Sequence, residues 1–206
     1  MAFVCKTPPG TRKFPGHGLV IHAKVSGVSK MWNQGFDMYR VYLSAPGDLG
    51  REQDACRAAI SAVNESDAMP RKILLVSVGL REAGQILESR SAVAENVRQC
   101  TYFVQLFEDE WGPNNLYRKI FHVAEECRDD ANFPMREAII CLKAAPHETD
   151  PATLALRKEL ADRTDMRAFH FDKADNLKEQ LMEVCRGWVR EIVAAGGGAA
   201  ASGQTA

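Results

Sequence analysis

The chain has no surplus of charge of either sign: 26 lysines and arginines face 27 aspartates and glutamates, for a net charge of -1. Proteins that grip a phosphate backbone through released counterions carry a clear basic excess, so nucleic acid is not an expected partner. Long hydrophobic runs are missing as well. No stretch nears the roughly 20 apolar residues of a membrane span, so no membrane partner is expected. Residues 1–37, broken by Pro8, Pro9 and Pro15, lack the apolar centre of an export signal. The six cysteines form no C-x-x-C pair and have no histidine at metal-ligand spacing, which argues against zinc. Neither Gly-x-x-x-x-Gly-Lys-Ser/Thr nor Gly-x-Gly-x-x-Gly occurs, which argues against phosphate-loop enzymes and dinucleotide dehydrogenases.

What remains is the composition of an ordinary globular protein, 46% hydrophobic and 26% charged, at a length of 206 residues that suits one domain with end segments. Residues 1–37 read as a poorly ordered extension in which only Leu19–Ile21 has strand character. Met38 directly precedes the first strong strand and, with Met31, is a candidate natural start of translation. Residues 38–195 read as one α/β domain. Residues 196–206, rich in glycine and alanine, lack side chains large enough to offset the entropy of ordering and read as a disordered tail.

From Tyr39 onward, apolar runs alternate with helical periodicity in five strand-then-helix units. The expected strands are Tyr39–Ala45, Lys72–Val78, Thr101–Phe107, Glu137–Lys143 and Met166–Phe171. The expected helices are Asp48–Glu65, Ser89–Gln99, Asn115–Asp129, Pro151–Ala161 and Asp175–Ala194, the last covering the edge of the sheet. Leu49, Cys56, Ile60 and Val63 recur at the three-and-four spacing of a helix lying on a sheet. Strands joined only through helices imply a parallel sheet covered on both faces, and right-handed crossovers favour the flavodoxin-like order 2-1-3-4-5. That order brings the loops Ser44–Asp48 and Glu108–Asn115 to one crevice at the switch point. The cysteines read as small buried thiols of a reducing cytosol, which makes the expected location cytoplasmic.

The stretch Val41-Tyr-Leu-Ser44-x-x-x-Asp48-Leu49-x-x-Glu52 resembles the opening of the TIR-like domains of unknown function, whose pattern runs V-F-[IV]-S-S-x-x-x-D-L-x-x-E-R. Ala45 and Gln53 depart from it, in place of the second serine and the arginine. Trp111-Gly112 is similar to the W/R-Y-G ending after the third strand of that family, and Gly79–Arg90 matches its variable loop. The resemblance implies a TIR-like fold over residues 39 to about 192. It also implies a signalling module that self-associates or meets a protein partner, with a nucleotide such as NAD as ligand or substrate. Members of the wider superfamily that cleave NAD use a glutamate early in the helix after the third strand. Here that turn, Leu116–His122, has none. Glu125 and Glu126 come about one turn later, since a turn takes 3.6 residues, and Glu110 precedes the helix.

The candidate ligand-binding residues are therefore Ser44, Gly47, Asp48 and Trp111, and the candidate catalytic residues are Glu110, Glu125, Glu126 and His122. Asp48 suits a ribose hydroxyl, but it equally suits an N-cap worth about 0.5–2 kcal/mol. Trp111 suits stacking on a base or closing the end of the core. Glu108, Asp109 and Glu110 form either a carboxylate cluster able to raise its own proton affinity or ligate magnesium, or a solvated loop. His122 and His170 lack a recognisable nucleophile partner. Two functions follow: a cytosolic TIR-like interaction module that binds a nucleotide at the switch point, or a hydrolase or transferase of the N-glycosidic bond of NAD or a nucleoside. A receiver domain shares the strand order but needs an acidic pair before the first helix, and that pair is absent.

Overall fold

The structure, a computed structural model, describes residues 35–79 and 90–200. The expected Leu19–Ile21 strand, Cys5 and nearly all of the Gly79–Glu88 loop lie outside the described residues. Five parallel strands form one sheet in the order β2-β1-β3-β4-β5. They are β1 Asp37–Ser44, β2 Ile73–Val78, β3 Tyr102–Phe107, β4 Glu137–Lys143 and β5 Arg167–Phe171. The helices are α1 Gly50–Val63, α2 Arg90–Arg98, α3 Leu116–Asp129, α4 Pro151–Ala161 and α5 Ala174–Ala200.

Alternation along the strands divides the core in two. Val41, Leu43, Tyr102, Val104, Leu106, Ile139 and Cys141 face α1 and α5, where they meet Leu49, Cys56, Ile60, Leu177, Leu181 and Trp188. Tyr42, Phe103, Phe107, Ile140 and Leu142 face the other side and pack with Val97 of α2, Ile120 and Phe121 of α3 and Leu160 of α4. β3 has all six residues buried, as expected for a central strand of a parallel sheet with both faces covered.

Three expectations need correction. Asp48 caps no helix: it lies in a one-turn 3-10 segment, Gly47–Leu49, that follows Pro46, and its side chain makes no cap hydrogen bond to either that turn or α1. Proline restricts φ and holds the chain in a tight reversal, so α1 starts two residues later than expected, at Gly50. The end of α1 loosens through a π turn, Asn64–Ala68, and a 3-10 turn, Met69–Arg71, that closes at left-handed Lys72. Pro70, which offers no N–H, accounts for the break. Finally, α5 lies over a face of the sheet rather than its edge. Its Trp188 stacks on Tyr102 of the central strand, with ring centroids 4.1 Å apart. It also runs to Ala200, beyond the expected end at Ala194, because the alanines flanking the glycines are the strongest helix formers. Residues 201–206 lie outside the described residues.

Two local devices finish the open end of the sheet. The Asn64 amide donates to the Leu75 carbonyl (2.8 Å) and accepts from the Leu75 N–H (2.9 Å), so edge strand β2 gains a side-chain substitute for a neighbouring strand. Gly79 ends β2 at φ 139°, where an added Cβ would lie 2.3 Å from the Leu43 carbonyl oxygen, a clash that only glycine avoids. Among the described residues no helix is long and apolar enough to cross a membrane.

Trp188 joins face and sheet by packing on Tyr102 and by donating its Nε1–H to Glu137 at 2.5 Å. Trp188→Ala is expected to cost about 3–5 kcal/mol, a large share of a typical domain's stability of roughly 5–15 kcal/mol. Val193→Ala on the exposed side of the same helix should cost less than about 0.5 kcal/mol. Urea denaturation of both variants checks the contrast, and equal losses would contradict the packing described.

Candidate functional site

The pairing of β1 with β3 places Val41 against Tyr102 and Ser44 against Gln105. Because the two strands are parallel neighbours, the reversals after each emerge at the same rim of the sheet. Their closeness is felt at Tyr117, near the start of α3. Burial raises its phenol pKa above the ordinary 10.0, and the Asp48 carboxylate on the other reversal raises it further.

At this rim Ser44 and Gln105 stand side by side on the face that carries Tyr42, Phe103 and Phe107. Ser44 is 2% exposed and Gln105 0%. The Gln105 amide donates to the Leu106 carbonyl at 2.7 Å, but its Oε1 and the Ser44 Oγ have no hydrogen-bond partner among the described residues. Buried polar atoms are nearly always satisfied, so two exceptions on adjacent strands mark a place where polar atoms from a ligand or water belong.

A charged network closes the rim above them. Lys143, the last residue of β4, reaches Glu52 of α1 at 3.1 Å and Glu108 after β3 at 3.0 Å. Arg157 of α4 donates to the Glu108 carbonyl and, at 2.6 Å, to the Lys143 carbonyl. Burial alone would lower the Lys143 pKa, but hydrogen bonds to Glu108 and then Glu52 outweigh it and hold the pKa above the ordinary 10.5. Glu52 is 8% exposed, and it gains further from its place in the first turn of α1, where helix N–H groups favour an anion.

The candidates named from sequence separate into four places. Ser44, Gly47 and Asp48 lie at the end of β1, with Ser44 buried and the other two exposed. Glu110 is exposed in the turn after β3. Trp111, His122 and Glu125 line a groove of about 440 Å³ between α3 and α4. Glu126 sits on the exposed side of α3. His122 Nδ1 lies 3.4 Å from Glu125 and its Nε2 3.5 Å from Glu126. Glu125 is also engaged by Arg163, which occupies the carboxylate with a permanent cation. Trp111 is 6% exposed and packs against Phe107 at 4.7 Å and Phe121 at 5.7 Å. In this structure it closes the end of the core. His170 is exposed on β5.

Glu108, Asp109 and Glu110 do not act as one cluster, because Glu108 turns to Lys143 while the other two face solvent. Among the described residues no group of three or more His, Cys, Asp or Glu side chains is placed to hold a metal ion. The five described cysteines are free and buried. Burial pushes the Cys56 thiol up to about 12 and the Cys100 thiol to about 11, which keeps both protonated and unreactive at neutral pH.

Gln105, Lys143, Arg157 and Arg163 were not singled out from sequence. Gln105 is the one polar residue in the run Tyr-Phe-Val-Gln-Leu-Phe, and Lys143 is the charged end of an apolar strand. Those interruptions were the available signals. The two arginines on and after α4 look like ordinary solvated charges until the fold supplies their partners.

No protein-family model matches the chain, and no curated protein matches it. Among solved structures it is similar to the metal-soaked Flv1 flavodiiron core from Synechocystis sp. PCC6803, at 10% identity and a TM-score of 0.43, over 79% of this chain and 37% of that one. It therefore spans little more than a third of that protein's length. It is also similar to a flavodoxin-like domain from Synechococcus sp., at 15% identity and a TM-score of 0.40, over 75% of this chain and 99% of that one.

Lys143 neutralises two carboxylates that would otherwise face each other. Lys143→Met is expected to destabilise the protein at pH 7 by about 1–3 kcal/mol, the usual penalty for stranding a buried polar partner. In the parent protein, the contribution of Lys143 is fully present below pH 10.5 and is lost as pH rises through its raised pKa. Urea titrations of both proteins across pH 4–11 measure this directly, and indistinguishable curves would show that the network does not hold the rim.

Proposed function

We propose that this α/β domain is a TIR-like signalling or interaction module that binds a nucleotide at the β1–β3 switch point and passes the binding event to a protein partner or a second copy of itself. The supporting observation is the pair of buried, unpartnered polar atoms, Ser44 Oγ and Gln105 Oε1, on register-paired residues. Open parallel sheets bind ligands at the carboxyl ends of the strands beside this crossover reversal.

The chemistry of the pair restricts the part of the ligand that would enter. A glutamine Oε1 only accepts hydrogen bonds, and a serine hydroxyl donates or accepts. Asp48 adds an exposed carboxylate at the rim, where Glu52 and Glu108 already share Lys143. A neutral donor such as a ribose diol or a carboxamide fits this seat better than a phosphate. Both atoms lie beneath the surface, so a ligand would reach them only by displacing what covers them, a coupling that suits a sensing role.

Binding is favoured over turnover because the carboxylates on hand are committed or solvated. Glu52 and Glu108 share Lys143, Glu125 is held by Arg163, and Glu110 and Glu126 are exposed. Calorimetric titration with NAD and with ADP-ribose is expected to show saturable binding without nicotinamide release. Ser44→Ala should weaken it about 2- to 10-fold, the equivalent of one hydrogen bond of roughly 0.5–1.5 kcal/mol. Nicotinamide release that disappears in Glu110→Gln or Glu126→Gln would replace this reading with an NAD or nucleoside N-glycosidic hydrolase. No binding of either compound at millimolar concentration would overturn both.

A further inference from the structure

We infer that Tyr117 and Asp48 form a clamp at the switch-point site and select its ligand by a vicinal diol, the adjacent hydroxyls of a ribose. The inference rests on the reading of that site as a nucleotide-binding one, and adds to it a residue and a chemical group. Tyr117 belongs to α3, which packs against β1 as well as against α2 and β4. Its ring sits in the same half of the core as Tyr42 of β1 and Phe103 of β3, on the sheet face that carries Ser44 and Gln105.

The ring has little freedom. The Tyr117 N–H donates to the Trp111 carbonyl at 3.1 Å, and Gly112 lies so close that an added Cβ would come within 2.7 Å of the ring. Tyr117 is 4% exposed, so little besides its hydroxyl is there for a ligand to meet. That hydroxyl makes no hydrogen bond among the described residues, yet it is not sealed off as the Ser44 and Gln105 atoms are. A group held in place before its ligand arrives loses little entropy on binding.

Asp48 approaches from the reversal after β1. It is exposed, its side chain caps neither the Gly47–Leu49 turn nor α1, and it forms no ion pair among the described residues. The carboxylate is near enough to add to the effect of burial in holding the proton on the Tyr117 phenol, but the two groups are not hydrogen-bonded to each other. A donor and an acceptor that sense each other without touching invite a bridging group. That group must accept from the phenol and donate to the carboxylate, and a hydroxyl does both through one atom. A phosphate only accepts and is repelled by Asp48, while an ammonium only donates and leaves the phenol proton unanswered. A carboxamide needs two atoms for the same bridge. In a diol the second hydroxyl remains to donate to Gln105 Oε1, which is an acceptor without a donor.

The probes are adenosine, 2′,3′-dideoxyadenosine, which differs only in lacking the diol, and nicotinamide, which offers a carboxamide alone. Calorimetric titration of the full chain should show saturable binding of adenosine and no measurable binding of nicotinamide. The dideoxy compound should bind about tenfold more weakly or worse, as expected for two lost hydrogen bonds. Tyr117→Phe keeps the ring against Gly112, so its urea midpoint should match the parent's, while adenosine affinity falls about 2- to 10-fold and dideoxyadenosine affinity stays the same. Asp48→Ala should act likewise, and the double variant should lose little more than either single one, because both groups hold one hydroxyl. Ser44-dependent binding of NAD or ADP-ribose combined with no preference for the diol, or with equal losses for both nucleosides in Tyr117→Phe, would overturn the clamp and leave the switch-point reading standing. Tighter binding of nicotinamide than of adenosine would overturn the choice of a diol. Absence of binding of adenosine, NAD and ADP-ribose alike would overturn both readings.

Discussion

Parallel pairing of β1 with β3, residue for residue from Val41–Tyr102 to Ser44–Gln105, is the constraint on which the rest of the molecule depends. It makes β1 and β3 neighbours although a whole strand and two helices separate them in sequence. With β2 outside β1 and β4 outside β3, right-handed crossovers must send α1 to one face and α3 to the other. The two half-cores follow directly, and so does the meeting of two chain reversals at one rim. A shift of one residue in this register would turn Ser44 and Gln105 toward α1 and α5 and drive Val41 or Tyr102 out of its packing. The apolar residues on both strands therefore hold the polar pair in place.

The same rim is costly to build. Asp48, Glu52 and Glu108 arrive there on three segments, and like charges in a partly dry place repel. Lys143 sits between two of them, while Arg157 binds the carbonyls of both Glu108 and Lys143. One lysine and one arginine thus connect the start of α1, the ends of β3 and β4, and α4. The arrangement gives the rim a fixed shape with little net charge inside it. It leaves the unpartnered Ser44 and Gln105 atoms as its conspicuous unsatisfied chemistry.

Strand number, strand order and most element boundaries were legible because they rest on local signals, apolar runs and the three-and-four spacing of helices. β4 and α4 fall where the pattern put them, bounded by Lys143 and by Pro151 at a first helical position. Asp48 misled because an acid before a helix looks like a cap unless the preceding turn is known, and Pro46 sets that turn. The end of α5 misled because composition weighs glycine more heavily than an existing helix does once its packed portion has supplied the nucleus. The partners of Lys143 could not be read at all: their distances along the chain carry no periodicity, and only the sheet order brings them together.

Trp111 shows how one residue can serve two neighbourhoods. As the sequel to Phe107 it closes the face shared by β3 and α3, and its ring stacks on Phe121. As a wall of the α3–α4 groove it forms part of a surface whose charged edge comes from Arg118 and Lys119. The ion pairs of Lys143 with Glu52 and Glu108 and those of Arg163 with Glu125 and Asp165 therefore hold different places, the first at the ends of β3 and β4 and the second beside α3.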